Sequence, residues 1–174
     1  MQNQREIISN WFNLYSQDVF NFLVYYSGTV DVEDLVQEVF IKAARGLSTY
    51  RNQSTPKTWL FSIARNLAID KAKKKETKFS QTSIAFQEEA LNQHVGFSPE
   101  QILIDHEEKQ VLYRKINQQK KKYREVLILR GIQGLSVSET AQVLGCKETA
   151  VRTNYHRAIK ALQNEPNWRE SHEG

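Results

Sequence analysis

Leu135-Ser-Val-Ser-Glu-Thr-Ala-Gln-Val-Leu-Gly145-Cys-Lys-Glu-Thr-Ala-Val-Arg-Thr-Asn-Tyr-His-Arg157-Ala-Ile-Lys-Ala-Leu162 reads as a helix, a tight turn and a second helix. Ser136 is a good helix N-cap, and Glu139 three residues later completes a capping box. Val137, Thr140, Ala141 and Leu144 then recur at helical spacing along one face. Gly145 supplies the left-handed residue that ends the first helix. Ala150, Val151, Ala158, Ile159 and Leu162 give the second helix an apolar seam. Arg152, Thr153, His156, Arg157 and Lys160 point outward, and Lys147, Glu148 and Thr149 stand at the helix start. A helix-turn-helix of this kind lays its second helix in the DNA major groove, with its first residues near the base edges. The competing description is an amphipathic helix pair in an ordinary bundle. Capping box, glycine and basic second helix together favour DNA.

Working outward, nearly every ordered stretch reads as helix. Ile8, Trp11, Phe12, Tyr15, Val19, Phe22, Leu23 and Tyr26 follow a 3.6-residue rhythm that Gly28 breaks. Val32, Leu35, Val36, Val39, Phe40 and Ala43 repeat it in a helix expected to start at Asp31 and stop at Gly46. After a polar loop from Leu47 to Thr55, Thr55 and Pro56 form a cap and first-turn proline. The next helix buries Trp59, Leu60, Ile63, Ala64 and Leu67 and ends in Lys71, Lys73, Lys74 and Lys75, where positive charge suits a helix C-terminus. From about Glu76 to Gly96 the periodicity fades and polar residues dominate. Ser98-Pro99-Glu100 then restarts a helix with Ile102, His106, Tyr113 and Ile116 as its stripe, followed by another over Lys121–Ile132. No strand-like alternation or internal repeat occurs. The expected fold class is all-α: two small helical domains, 1–75 and 99–165, joined by a flexible linker over 76–98, with a tail at 166–174.

Composition narrows the function. The 174 residues carry a net charge of +4, unevenly spread. One basic cluster ends at Lys75 and a second comprises Lys120, Lys121, Lys122 and Arg124, and both suit phosphate contacts beside a helix-turn-helix. A single cysteine, Cys146, excludes an internal disulfide and makes a zinc site improbable; its place in the turn suggests a small packing residue. No run approaches a membrane span and no signal peptide opens the chain, so a cytoplasmic location is expected.

Two constellations in the first domain carry chemistry. Asp31, Asp34 and Glu38 share a helix face with Gln37, a docking surface for a basic partner. A metal site there would need more acid or histidine, and no histidine precedes His94. Tyr50, Arg51, Asn52, Gln53 and Lys57, with Arg65, Asn66, Asp70 and the lysines, combine a stacking face, base-pairing amides and a phosphate-binding rim. A loop can enclose an unpaired base, whose extrusion costs a few kcal/mol. Aromatic stacking returns roughly 1–3 kcal/mol per base, so hydrogen bonds must add to it.

Asp34-Leu-Val-Gln-Glu-Val-Phe40, Thr58-Trp-Leu-Phe-Ser-Ile-Ala-Arg-Asn-Leu-Ala-Ile-Asp70, Tyr123-Arg-Glu-Val-Leu127 and the helix-turn-helix occur in an order that resembles sigma-70-type RNA polymerase sigma factors. The likeness is to the small two-domain extracytoplasmic function (ECF) group and covers residues 7–163. It implies that Asp31, Asp34, Leu35, Gln37, Glu38 and Phe40 dock on the β′ coiled coil of core polymerase. It implies that Tyr50, Arg51, Asn52, Gln53, Lys57, Arg65, Asn66, Asp70, Lys73 and Lys74 melt the minus-ten element and hold a flipped base. It assigns reading of the minus-thirty-five duplex to Lys147, Glu148, Thr149, Arg152, Thr153, His156, Arg157 and Lys160, on a domain that also meets the β flap. The linker is expected to thread toward the active-site channel.

The resemblance also implies a monomer without catalytic residues, cofactor or metal, held by an anti-sigma factor that in many members is membrane-anchored. Two departures stand out. The family commonly has glycine and an acid near positions 52 and 53, where Asn52 and Gln53 stand here, and arginine where Lys71 and Lys73–Lys75 stand. The alternative is a dimeric helix-turn-helix regulator on a palindromic operator, which leaves the two N-terminal motifs unexplained.

Overall fold

The computed structural model describes residues 3–79 and 107–164. Every regular element among them is helical. The chain divides into two compact units between Asp105 and His106. The expected helix start at Ser98-Pro99-Glu100, and the stripe positions Ile102 and His106, lie outside the described residues.

The first unit packs three helices against one another: α1 (Gln4–Ser27), α2 (Glu33–Gly46) and α3 (Pro56–Phe79), with a short 3-10 turn at Leu47–Thr49. Asn3 caps α1 by accepting from the Arg5 amide at 3.3 Å, and Gly28 closes it at φ 72°. The N-cap of α2 is Val32 and not Asp31. Val32 is completely buried, and its carbonyl accepts the Val36 amide at 2.9 Å. Burial of that side chain fixes where the helix begins, while Asp31 stays outside it with its amide on the Thr29 hydroxyl. Glu33 and Asp34 fill the first turn, where a carboxylate meets the positive end of the helix dipole. The stop at Gly46 is as expected.

The core is aromatic at its centre. Phe22 stacks on Phe61 at 5.0 Å and 18°, and on Tyr26 at 5.6 Å. Val19, Leu23, Leu35, Val36, Val39, Phe40, Ala43, Leu60, Ala64 and Leu67 close around them. Phe61 was not among the expected core positions, yet it is fully buried. Trp59 and Ile63, expected to be buried, are only half so. In α1 only the second half of the expected stripe is buried; Phe12 is 44% exposed and leans edge-on against Phe40 at 5.0 Å. α3 continues through the lysines to Phe79.

The second unit contains α4 (Glu107–Gln118), α5 (Lys121–Val126), a π-helical turn at Leu127–Ile132, α6 (Val137–Leu144) and α7 (Glu148–Gln163). A single helix was expected over Lys121–Ile132. Instead its second half widens, with the Gln133 amide reaching the Ile128 carbonyl five residues back at 2.9 Å. The Leu135 amide then closes the segment on the Leu129 carbonyl, six residues back, also at 2.9 Å. The i→i+5 pattern spreads each turn over more residues. Leu127, Ile128 and Leu129 are thereby buried in succession, directly after the buried Val126 of α5. Tyr113, Ile116, Leu135, Thr140, Ala141, Val143, Val151, Ala158 and Leu162 complete the core, together with Lys115 and Glu125, two buried charged residues that periodicity does not announce.

Phe61→Ala removes a fully buried ring from the stack and should cost about 3–5 kcal/mol, read as the stability of the first unit by hydrogen exchange. Leu14→Ala, on the exposed side of α1, should change it by less than about 0.5 kcal/mol.

Candidate nucleic-acid interface

The helix-turn-helix forms from the local signals in its sequence. The Ser136 hydroxyl accepts the Glu139 amide at 3.1 Å, and the Glu139 carboxylate accepts the Ser136 amide at 2.8 Å. Gly145 takes φ 64°, and the Cys146 amide returns to the Ala141 carbonyl at 3.1 Å. The buried face of α6 keeps Thr140 and Ala141 of the expected one, but Val143 is buried while Leu144 and Val137 are partly exposed. Val151, Ala158 and Leu162 seat α7. Lys147, Glu148, Thr149, Arg152, Thr153, His156, Arg157 and Lys160 are all exposed. Glu148 and Arg152 face each other at 3.4 Å, one turn apart. An exposed pair of this kind contributes little to stability and leaves the guanidinium available to an outside partner.

Cys146 is exposed, contrary to its expected packing role. The turn projects it past the end of α6, where no core element covers it. A contact that local patterning missed comes from the π-helical turn. Arg130 donates from Nη1 to the Leu135 carbonyl at 2.7 Å and lies over the Tyr155 ring at 5.3 Å. It thereby ties the segment before α6 to the middle of α7.

In the first unit the loop after α2 is tightly made. The Thr49 hydroxyl donates to the Gly46 carbonyl at 2.7 Å, and the Tyr50 amide to the Leu47 carbonyl at 3.2 Å. The Tyr50 hydroxyl donates to the Ser54 carbonyl, closing the loop across its base. Burial, and secondarily the Tyr15 phenol, push the Tyr50 phenol above its usual range, so it remains a donor. The Thr55 hydroxyl caps α3 by accepting the Thr58 amide at 3.2 Å. Arg51, Asn52 and Gln53 project into solvent between these fixed ends. Asn52 has φ 56°, a left-handed conformation that asparagine tolerates better than most residues with a Cβ.

The expected stacking face of Tyr50 is already engaged. Its ring meets Trp11 at 5.4 Å and Trp59 at 4.9 Å, so this side chain supports the loop from below. Lys57 is half-buried, 3.6 Å from the Asp18 carboxylate and 5.6 Å from the Phe61 ring centroid. Asn66, Asp70, Lys73 and Lys74 are exposed along α3, and Arg65 is partly so.

On α2, Asp34, Gln37 and Glu38 lie on the exposed side, and Asp31 precedes them in the loop. Leu35 and Phe40 do not join that surface. Each is 5% exposed, because their positions fall on the apolar side of the same helix. Among the described residues no group of three or more His, Cys, Asp and Glu side chains could hold a metal ion.

Family comparison agrees with this division. The family model for sigma-70 region 2 matches residues 11–77, and that for sigma-70 region 4 matches residues 109–162. The ECF RNA polymerase sigma factor SigX of Bacillus subtilis is 35% identical over 154 residues, 87% of this chain and 79% of SigX. The RNA polymerase sigma factor YlaC of the same organism is 32% identical over 160 residues, 91% of each chain. The fold resembles that of the sigma factor RpoE solved with the anti-sigma factor NepR from Bartonella quintana. That likeness has a TM-score of 0.71 at 22% identity, covering 89% of this chain and 93% of the other. Two units with these matched regions define a sigma-70-type RNA polymerase sigma factor. Within that class the chain belongs to the ECF group. The dimeric-regulator reading accounts only for the second unit and is not favoured.

Arg130→Met keeps the aliphatic stem but loses the hydrogen bond and the ring contact. It should destabilise the second unit by about 1–2 kcal/mol, whereas Tyr155→Phe, which keeps a ring, should be nearly neutral. Hydrogen exchange in α7 measures both; equal protection in Arg130→Met and wild type would show that the contact does not tie the helices.

Proposed function

We propose that this chain binds core RNA polymerase, directs it to promoters bearing two unlike elements, and starts strand opening through the first unit. The observation that carries the reading is the separation of two exposed polar surfaces onto two independently packed units. One is the basic and polar face of α7. The other is the Arg51–Gln53 loop with the outer side of α3. A duplex reader positions, and a capturing loop converts binding energy into melting. Lys147, Glu148, Thr149, Arg152, Thr153, His156, Arg157 and Lys160 are assigned to the upstream duplex. Arg51, Asn52, Gln53, Arg65, Asn66, Asp70, Lys73 and Lys74 are assigned to the minus-ten strand. Asp34, Gln37 and Glu38, with Asp31 beside them, are assigned to the β′ coiled coil.

Sigma factors are in general non-enzymatic initiation factors, and this chain is proposed to leave all catalysis to the polymerase. Among the described residues no helix is long and apolar enough to cross a membrane. Work in the cytoplasm, with retention at the membrane only through an anchored anti-sigma factor, fits that observation. An anti-sigma partner is proposed because RpoE, of similar fold, was solved with NepR.

The direct experiment is transcription in vitro with bacterial core polymerase on fragmented host DNA, mapping new RNA 5′ ends. Discrete starts preceded by two shared, unlike elements are expected; none, from folded protein free of inhibitor, overturns the reading. On a promoter so mapped, Arg152→Ala and Arg157→Ala should each weaken upstream-element binding. Where the guanidinium meets a base edge, the loss should be about 1–3 kcal/mol, with relaxed specificity at that base pair. Reversing charge in Asp34→Lys or Glu38→Lys should lower affinity for core polymerase, most at low salt. Glu38→Lys should leave the melting temperature unchanged, whereas Asp34→Lys, which puts a cation at the positive end of the α2 dipole, should also cost about 0.3–1 kcal/mol of stability. Unaltered polymerase affinity in both would remove α2 as the docking surface.

A further inference from the structure

We infer that Tyr50 and Trp11 are positioning residues that hold the Arg51–Gln53 loop ready for base capture, so that base discrimination is set in part by an aromatic clamp rooted in α1. The inference rests on the base-capture reading of this loop and adds to it the residues that give the loop its shape.

Three rings from three parts of the chain meet under the loop. Trp11 comes from α1, Trp59 from the first turns of α3, and Tyr50 from the loop itself. Trp11 approaches Tyr50 edge-on at 5.4 Å and 85° and Trp59 at 5.9 Å and 77°. Tyr50 and Trp59 meet at 4.9 Å. Edge-to-face geometry at these distances is the preferred arrangement of aromatic quadrupoles. With its ring so held, Tyr50 has one polar atom, and that atom donates to the Ser54 carbonyl at the far end of the loop. Only Arg51, Asn52 and Gln53 lie between, and all are exposed. The left-handed Asn52 is the residue that turns the chain inside this closed span.

A span so short, tied at both ends, has little conformational freedom left. A loop ordered in advance avoids the entropy cost of ordering on binding, which otherwise subtracts from affinity and blurs discrimination. Tyr50 therefore serves recognition without touching DNA, and Trp11 serves it from a helix with no assigned DNA contact.

The test uses holoenzyme assembled from core polymerase and the full chain. Its probe is a set of single-stranded oligonucleotides carrying the mapped minus-ten element, with each of the four bases at each position. Tyr50→Phe keeps the ring cluster and removes only the tie to Ser54. It should lower affinity for the preferred base about fivefold, the loss of one hydrogen bond, and flatten the ranking of bases at that position. Binding to upstream duplex and to core polymerase should not change. Trp11→Leu should shift the same ranking in the same direction, while Leu14→Ala on the same helix should not.

Wild-type ranking retained in Tyr50→Phe overturns the clamp. So does a uniform loss of affinity for all bases with the ranking intact, since that is the signature of a merely structural tie. A wild-type holoenzyme with no base preference at any position overturns the capture reading itself, a result distinguishable from failure of the clamp alone.

Discussion

A three-helix unit has very little interior, and that scarcity governs the first half of this protein. The stacked pair of Phe22 and Phe61 fills the centre, and α1, α2 and α3 each reach it through a single apolar side. Most polar residues on the remaining sides are left in solvent, because burying a charge or amide without a partner would cost more than such a small core returns. Thr58 is buried with its hydroxyl bonded to that of Thr55. The exposed surfaces of α2, of the loop and of α3 are therefore consequences of one packing decision. The second unit is as short of interior, and it buries two charged residues, Lys115 and Glu125, beside a widened turn in which Leu127, Ile128 and Leu129 reach the core in succession.

What could be read from the sequence is what local chemistry determines. The capping box at Ser136 and Glu139, the left-handed Gly145, the Thr55–Pro56 entry and the stop at Gly46 all form where their residue types require. What could not be read is set by contacts distant in sequence or by burial that overrides pattern. The start of α2 moved from Asp31 to Val32 because a valine side chain found the core. Leu35 and Phe40 belong to a motif that resembles a docking segment, yet the motif mixes residues that hold the helix with residues that face outward. A sequence match does not separate the two; helical phase does. Tyr50 looked like a stacking platform because nothing local reveals Trp11, 39 positions earlier, against its ring. The position of Cys146 in a turn was likewise not enough to decide its exposure.

The departures from the family pattern also acquire a physical meaning. Asn52 stands near a position where the family resemblance leads one to expect glycine, and its φ of 56° is a conformation open to both residues. Asparagine reaches the left-handed region at modest cost and adds an amide that glycine lacks. The conformation is kept while the chemistry presented to a base changes. At the end of α3, lysine in place of arginine has the opposite character. It keeps the positive charge and gives up the planar fork, so phosphate attraction persists while bidentate geometry is lost.

These two substitutions point the same way. A point charge on a long stem positions a backbone without specifying a base, whereas a carboxamide on a short, pre-shaped turn specifies a base with little reach. If the loop captures a base as proposed, discrimination in the first unit is concentrated in its few residues, and the demands on loop geometry rise accordingly. A turn that must tell bases apart gains from every constraint that fixes it before DNA arrives. The clamp of Trp11, Tyr50 and Trp59 supplies such a constraint, with two of its three rings coming from outside the loop and the Tyr50 hydroxyl bonded to the Ser54 carbonyl. On the base-capture reading proposed above, recognition by the first unit would depend on α1, a helix that contributes no expected DNA contact, because the aromatic contacts of its N-terminal half reach the ring that closes the loop.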